Sequence, residues 1–241
     1  MPLQFKGQIF FQGESEGCFP DRAPLYDKEL AALVADERAR FGQEFPFYNV
    51  QLSDYRDECA TYFPALDTVR VKQLDALATI PNYTLTPAMD LGAPDGHPDF
   101  AHSPRKYELA MRIAKLALAR EYRIGGEYEA RAPKPTTAQK SADGKQITVC
   151  FTDIGDGLCV LGQSPRDSIG AEVKGFRVGH KGADVPARAV IETRGCITVD
   201  VPEGADASVV SYAYSIRASI EYADLRNGNN LPAFAFCLRT E

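Results

Sequence analysis

No apolar run in the 241 residues approaches the roughly 20 that a membrane-spanning helix needs, which argues against a membrane partner. The opening MPLQFKGQIFFQGES has no basic stretch followed by an apolar segment and a small-residue cleavage site, so no export signal is visible and the compartment is left open. Cationic excess is absent too. With 27 Lys and Arg against 33 Asp and Glu the net charge is −6, which disfavours a polyphosphate-binding surface and hence nucleic acid as a partner. The six cysteines form no CxxC, and a chain of this length can build a core without disulfide staples, so they read as mostly buried thiols. Only three histidines occur, and no cysteine lies near any of them at zinc-site spacing. His97 and His102, with Asp95 and Asp99 nearby, are the one group that a loop could gather around a metal; the expected reading is no metal and no cofactor. What is there, 44% apolar and 25% charged, is a globular composition that excludes disorder, collagen and coiled coil.

The periodicity changes part-way. Up to about residue 125, short apolar runs alternate with amphipathic stretches, which predicts an α/β layer. Strands are expected at Gln8–Phe11, Phe47–Leu52 and Thr84–Met89, the last weakened by Pro87. Helices are expected at Leu25–Phe41, around Leu66–Leu77 and at Pro104–Tyr122, the third with Ser103 as N-cap and a stop near Gly125-Gly126. The run Asp36-Glu37-Arg38-Ala39-Arg40 reads as a solvated helix end. Residues 126–145 are rich in Gly, Pro, Lys, Thr and Ser without periodicity, and are the expected linker. From 146 to 241 short strands recur between Gly, Asp and Pro turns, which predicts a small antiparallel β-sandwich.

Two loops stand out for chemistry. The first strand runs into Gln12-Gly13-Glu14-Ser15, and the third into Asp90-Leu91-Gly92-Ala93-Pro94-Asp95-Gly96-His97-Pro98. Polar loops at the carboxyl ends of strands are where open α/β sheets bind ligands. A histidine two residues from a carboxylate suits a general base with an acid partner, although on spacing alone Asp95 and His97 read more simply as solvated loop residues. Arg70 and Gln73, one helical turn apart, could reach a substrate or form a helix-surface pair. Tyr212, Tyr214 and Tyr222 could stack on sugar rings or serve ordinary sandwich packing.

The ordered words FFQGES, DERARFG, PFYNVQL, RVKQ, IPN, MDLG and an HP pair before a helix together resemble the sialate O-acetylesterase family of SGNH-type hydrolases. The stretches GLCV, VKGFRVG, VPARAVIE and NLPAFAF extend the likeness over nearly the whole chain. The resemblance implies a partial SGNH-like parallel-sheet layer over residues 1–125 and a β-sandwich domain over 146–241. It further implies a carbohydrate esterase that removes O-acetyl groups from sialic acid or related sugars through serine and histidine, without cofactor. His97 falls at the position of the catalytic histidine and Asp95 at that of its acid, while Pro94 occupies the place where the wider superfamily more often has the acid. Gln12, Gly13 and Glu14 match the oxyanion and substrate-binding block; a polar turn capping the next helix is the plainer account of them.

The family's Gly-Gln-Ser-Asn nucleophile block has no counterpart ahead of Gln12. Gly162-Gln163-Ser164 reads as a turn, Ser15 belongs to the oxyanion block, and a Cys18–His97 pair has no other protease feature to support it. The expectation is therefore a chain that supplies the histidine side of the site, is inactive alone, and is completed by a missing N-terminal half or a second chain. The alternative is a non-catalytic carbohydrate-binding or structural remnant.

Overall fold

The computed structural model describes residues 4–55, 59–94, 97, 102–215 and 222–241. Three parallel strands, β1 (Gln8–Phe10), β2 (Phe47–Gln51) and β3 (Tyr83–Pro87), form a sheet in sequence order. Between β1 and β2 come the short α1 (Glu14–Gly17) and the long α2 (Tyr26–Phe41); α3 (Leu66–Asp75) joins β2 to β3. Every residue of β2 is buried, as befits a central parallel strand covered on both faces. Side-chain alternation sorts the cover. Phe47 faces a core with Leu30 and Val34 of α2 and Leu66 and Val69 of α3, while Tyr48 and Val50 face Leu109, Ile113 and Leu116 of α4 (Lys106–Tyr122).

Pro87 fits β3 because it is the strand's last residue, paired with Gln51 at a sheet edge. α4 begins two residues later than the proline signal suggests: Arg105 is the N-cap, and the Ser103 hydroxyl accepts the Arg105 amide at 3.1 Å. The helix stops at Tyr122 because Arg123 turns left-handed with φ 57°, ahead of the two glycines. Arg38, expected at a solvated helix end, is instead buried, its guanidinium donating to the Phe45 carbonyl at 2.8 and 3.2 Å; Arg40 and Asp36 remain an exposed pair.

The expected linker is structured in part. It holds α5 (Glu127–Ala130) and β4 (Lys134–Lys140), and β4 pairs antiparallel with β5 (Gln146–Thr152). The remaining strands are β6 (Leu158–Val160), β7 (Glu172–Val173), β8 (Phe176–Val178), β9 (Val185–Pro186), β10 (Ala189–Ile191), β11 (Cys196–Asp200), β12 (Val209–Tyr212), β13 (Leu225–Asn227) and β14 (Phe236–Arg239). They form a five-stranded sheet β4-β5-β11-β10-β7, a four-stranded sheet β14-β12-β8-β9 and the pair β13-β6, enclosing one core with Ile147, Val149, Phe176, Ile197, Tyr212 and Phe236. Cys150 and Cys196 lie directly opposite on β5 and β11, with Cα atoms 4.1 Å apart, and are joined in a disulfide, which corrects the reading of the cysteines as thiols for these two. Cys59 and Cys159 are buried thiols and Cys18 and Cys237 half-buried ones.

The two layers are not independent. Leu231 and Phe234 insert into the core of the α/β layer, and the Gln51 side chain both donates to and accepts from the backbone of Ala235, at 3.0 and 2.9 Å. No helix among the described residues is long and apolar enough to cross a membrane.

Candidate active site

The carboxyl ends of the three parallel strands lie side by side, so the loops that follow them share one edge of the sheet. After β1 the chain bends at Gly13, whose φ of 140° an L side chain rarely adopts and whose absent Cβ would lie 2.8 Å from Val69 Cγ1. Gly13 is the N-cap at which the chain leaves the strand line and starts α1. The Gln12 carbonyl accepts from the Tyr26 hydroxyl at 2.9 Å and from Gln73 Nε2 at 3.1 Å. Its side-chain Nε2 donates to Glu16 Oε2 at 2.6 Å. A primary amide has two N–H groups, so the bond to Glu16 fixes the amide's direction and leaves the second donor for another acceptor.

Gln73 does more than hold Gln12. Its Oε1 accepts the Leu52 amide at 3.0 Å, so one buried side chain bridges the ends of β1 and β2. Arg70, one turn earlier on α3 and fully buried, donates through Nε to the Leu52 carbonyl at 3.0 Å and through Nη2 to that of Ser53, while Nη1 reaches the Ser215 carbonyl at 2.5 Å. Burial pulls its guanidinium below the ordinary value, opposed by the negative charges of Asp54 and Asp67. Arg70 and Gln73 are thus not a surface pair: both are fully buried and fasten the site loops. The Tyr55 hydroxyl donates to Glu14 Oε1 at 2.8 Å, and burial followed by the Glu14 charge pushes that phenol up.

The loop after β3 is pinned at both ends. A Cβ on Gly92 would come within 2.6 Å of the Asp54 carbonyl oxygen, so only glycine lets this loop pack on the one after β2. At the far end the Ser103 hydroxyl donates to the Leu91 carbonyl. Between them sits His97, half-buried, its backbone amide donating to the Pro94 carbonyl at 3.0 Å. Asp95, its expected acid partner, and Asp99 lie outside the described residues. Among the described residues no group of three or more His, Cys, Asp or Glu side chains is placed to hold a metal ion.

Asp90, at the root of this loop, anchors it to the rest of the molecule. Its carboxylate takes both Nη atoms of Arg112 at 2.7 Å and Nη2 of Arg226, from β13, at 2.9 Å. Burial pushes the carboxyl up, but the bonds and charges of the two arginines outweigh it and hold Asp90 below the usual carboxylate range.

The other nucleophile candidates have plain roles. Ser15 is an exposed residue of α1, and the half-buried Cys18 thiol donates weakly to the Glu14 carbonyl at 3.6 Å. Ser164 sits in a turn where it bonds Asp167 Oδ2 at 2.6 Å. The cavity of about 170 Å³ beside the start of β3, lined by Tyr83, Leu116, Arg120 and Arg131 among others, flanks β3 away from the site loops.

The model of the family described as carbohydrate esterase, sialic acid-specific acetylesterase, matches residues 2–119, the stretch that builds the sheet and all three site loops. The crystal structure of a carbohydrate acetylesterase from Xanthomonas citri is similar over 98% of this chain, with 26% identity and a TM-score of 0.78. The chain belongs to this carbohydrate esterase family. It spans about half, 51%, of the length of that solved relative. No match is found among curated proteins.

Both the family model and the solved relative are described as carbohydrate esterases. Sequence reasoning singled out Gln12, Gly13, Glu14 and His97 but missed what holds them, namely Tyr26, Tyr55 and the bridging role of Gln73. Polar Arg70 and Gln73 on a helix stripe that also carries Leu66 and Val69 are the signal that could have found the fasteners.

Proposed function

We propose that this chain is the histidine-bearing part of a carbohydrate O-acetylesterase that acts on acetylated sialic acid or a related sugar. The observation that carries the proposal is the fixed Gln12 amide at the end of β1, on the same sheet edge as the loop that carries His97. In the reaction a serine oxygen attacks the acetyl carbonyl and forms a C–O bond while His97 takes its proton. The negative charge that develops on the carbonyl oxygen accepts from the Gln12 amide, a contribution of about 3 kcal/mol per donor. Collapse breaks the bond to the sugar oxygen, which leaves with the proton from His97. Water, activated by the same imidazole, then releases acetate and restores the serine. Asp95 acts as the acid that orients the His97 ring.

The serine comes from polypeptide outside residues 1–241, either another segment of a longer protein or a second chain. Supporting this, β1 lies at the edge of the three-stranded sheet with Ile9 64% exposed, as a strand awaiting a parallel neighbour would be. Acetate release by a protein that includes the serine-bearing segment tests the substrate class. Turnover of 9-O-acetyl sialic acid but not of acetylxylan is expected; the reverse preference overturns the sialic acid assignment.

A further inference from the structure

Ala60, Phe63 and Pro64, ahead of α3, and residues from β8 and the loops of the four-stranded sheet border an open cleft of about 370 Å³. Phe63, Asp67, Arg177, Lys181, Asp184 and Tyr214 line it. A second concavity of about 270 Å³ shares Arg177, Tyr214 and Ser215 with the first and ends at Pro186 and Tyr222. The two concavities thus adjoin along these residues, and Tyr214 lines both parts of the groove they make up.

The groove is coupled to the site at two points. The Ala65 amide, just beyond Phe63 and Pro64, donates to the Gly17 carbonyl at 3.0 Å, which fixes one wall to α1 and its Glu14 and Glu16. Ser215, on the other wall, gives its carbonyl to Arg70, the same guanidinium that holds Leu52 and Ser53 at the end of β2.

The chemistry of the lining selects the ligand class. Lys181 Nζ bonds Asp67 Oδ1 at 2.7 Å and lies 5.5 Å from the Tyr214 ring centroid; Arg177 bonds the carboxylate and, at 2.8 Å, the carbonyl of Asp184. The four charges sum to zero, so the groove exerts no net pull on an anion or a cation. What it offers are fixed carboxylates, an ammonium and a guanidinium as hydrogen-bonding groups, beside the half-exposed rings of Tyr214 and Tyr222. Converging polar groups around aromatic faces match a ligand with many hydroxyls and apolar C–H faces. Tyr212, by contrast, is fully buried and its hydroxyl accepts the Leu225 amide, so it belongs to the core.

We infer that this groove binds the saccharide units that flank the acetylated sugar, making the β-domain a substrate-recognition element. The inference rests on the carbohydrate-esterase reading for its place in the reaction, but not for its test. Binding of sialyllactose, xylotetraose and cellotetraose, all without acetyl groups, is measured on residues 1–241 by calorimetry and saturation-transfer NMR. At least one is expected to bind, Tyr214→Ala to weaken it about tenfold or more, and Tyr214→Phe, which keeps the ring, to leave it within about twofold. Tyr222→Ala, a change at a residue 48% exposed, is expected to weaken binding severalfold and decides the matter should Tyr214→Ala not fold. No binding of any of the three, or full binding by Tyr214→Ala or Tyr222→Ala, overturns the groove. Saccharide binding without acetate release from the completed protein rejects the esterase reading alone; acetate release without saccharide binding rejects the groove alone.

Discussion

Replacing Asp90 by Asn tests whether the root of the histidine loop is fastened to the β-strands as the geometry indicates. The change keeps size and shape but removes the charge that faces Arg112 and Arg226. Arg112 is 15% exposed and could recover some hydration, whereas Arg226, at 5%, would stay buried beside a neutral amide. Leaving a buried charge without its partner costs about 3–5 kcal/mol. For a chain of this size that is a fall in melting temperature of roughly 6–20 °C. Urea unfolding followed by circular dichroism measures the loss directly, and Arg226→Met alone and combined with Asp90→Asn should show that the two losses do not add. The same carboxylate sets an acid limit. Its folded value lies below the unfolded one of about 3.9, so its contribution is complete above that pH and is lost as pH falls through the folded value. A cost below about 1 kcal/mol, or simple additivity with Arg226→Met, would refute the reasoning.

Three further outcomes follow from the same contacts. Gly13→Ala puts a Cβ 2.8 Å from Val69 at a φ of 140°, and should destabilise by about 1–3 kcal/mol in thermal melts, with Gln12 displaced in a crystal structure. Gln73→Leu strands the Leu52 amide and removes one of the two donors to the Gln12 carbonyl, a loss of about 1–3 kcal/mol; an unchanged urea midpoint would contradict the bridge. Reducing the Cys150–Cys196 bond, or changing both residues to Ser, frees a loop of 46 residues and should cost about 4 kcal/mol on the chain-entropy account, seen as a urea midpoint lower than that of the oxidised protein, with reductant present in the first case and without it in the second.

The parallel layer was legible because its central strand is a continuous run buried on both faces and its helices carry apolar stripes. β4 escaped notice because only Pro135 and Ala138 of its seven residues are buried, so no apolar alternation marks it within residues 126–145. β13 is hidden for a different reason: Arg226 and Asn227 are polar yet buried, satisfied by Asp90 and by the carbonyls of Arg131 and Asp153. The Cys150–Cys196 pair follows from the β5–β11 register, which no local spacing encodes. At the site, Gln12 and His97 carry a recognisable pattern of words, whereas Gln73, Arg70 and Tyr26 act largely on backbone amides and carbonyls. Such contacts place no demand on the partner's side chain and so leave no paired signature in the sequence.

The most direct test of the account is acetate release from an activated acetyl ester by residues 1–241, alone and with the serine-bearing polypeptide supplied, each beside a His97→Ala version. The account predicts no turnover by the chain alone, turnover by the completed protein, and a loss of about 100- to 10,000-fold on His97→Ala. A completed protein that keeps its rate without His97 would contradict the assignment of the base, and turnover by residues 1–241 alone would place the nucleophile within this chain.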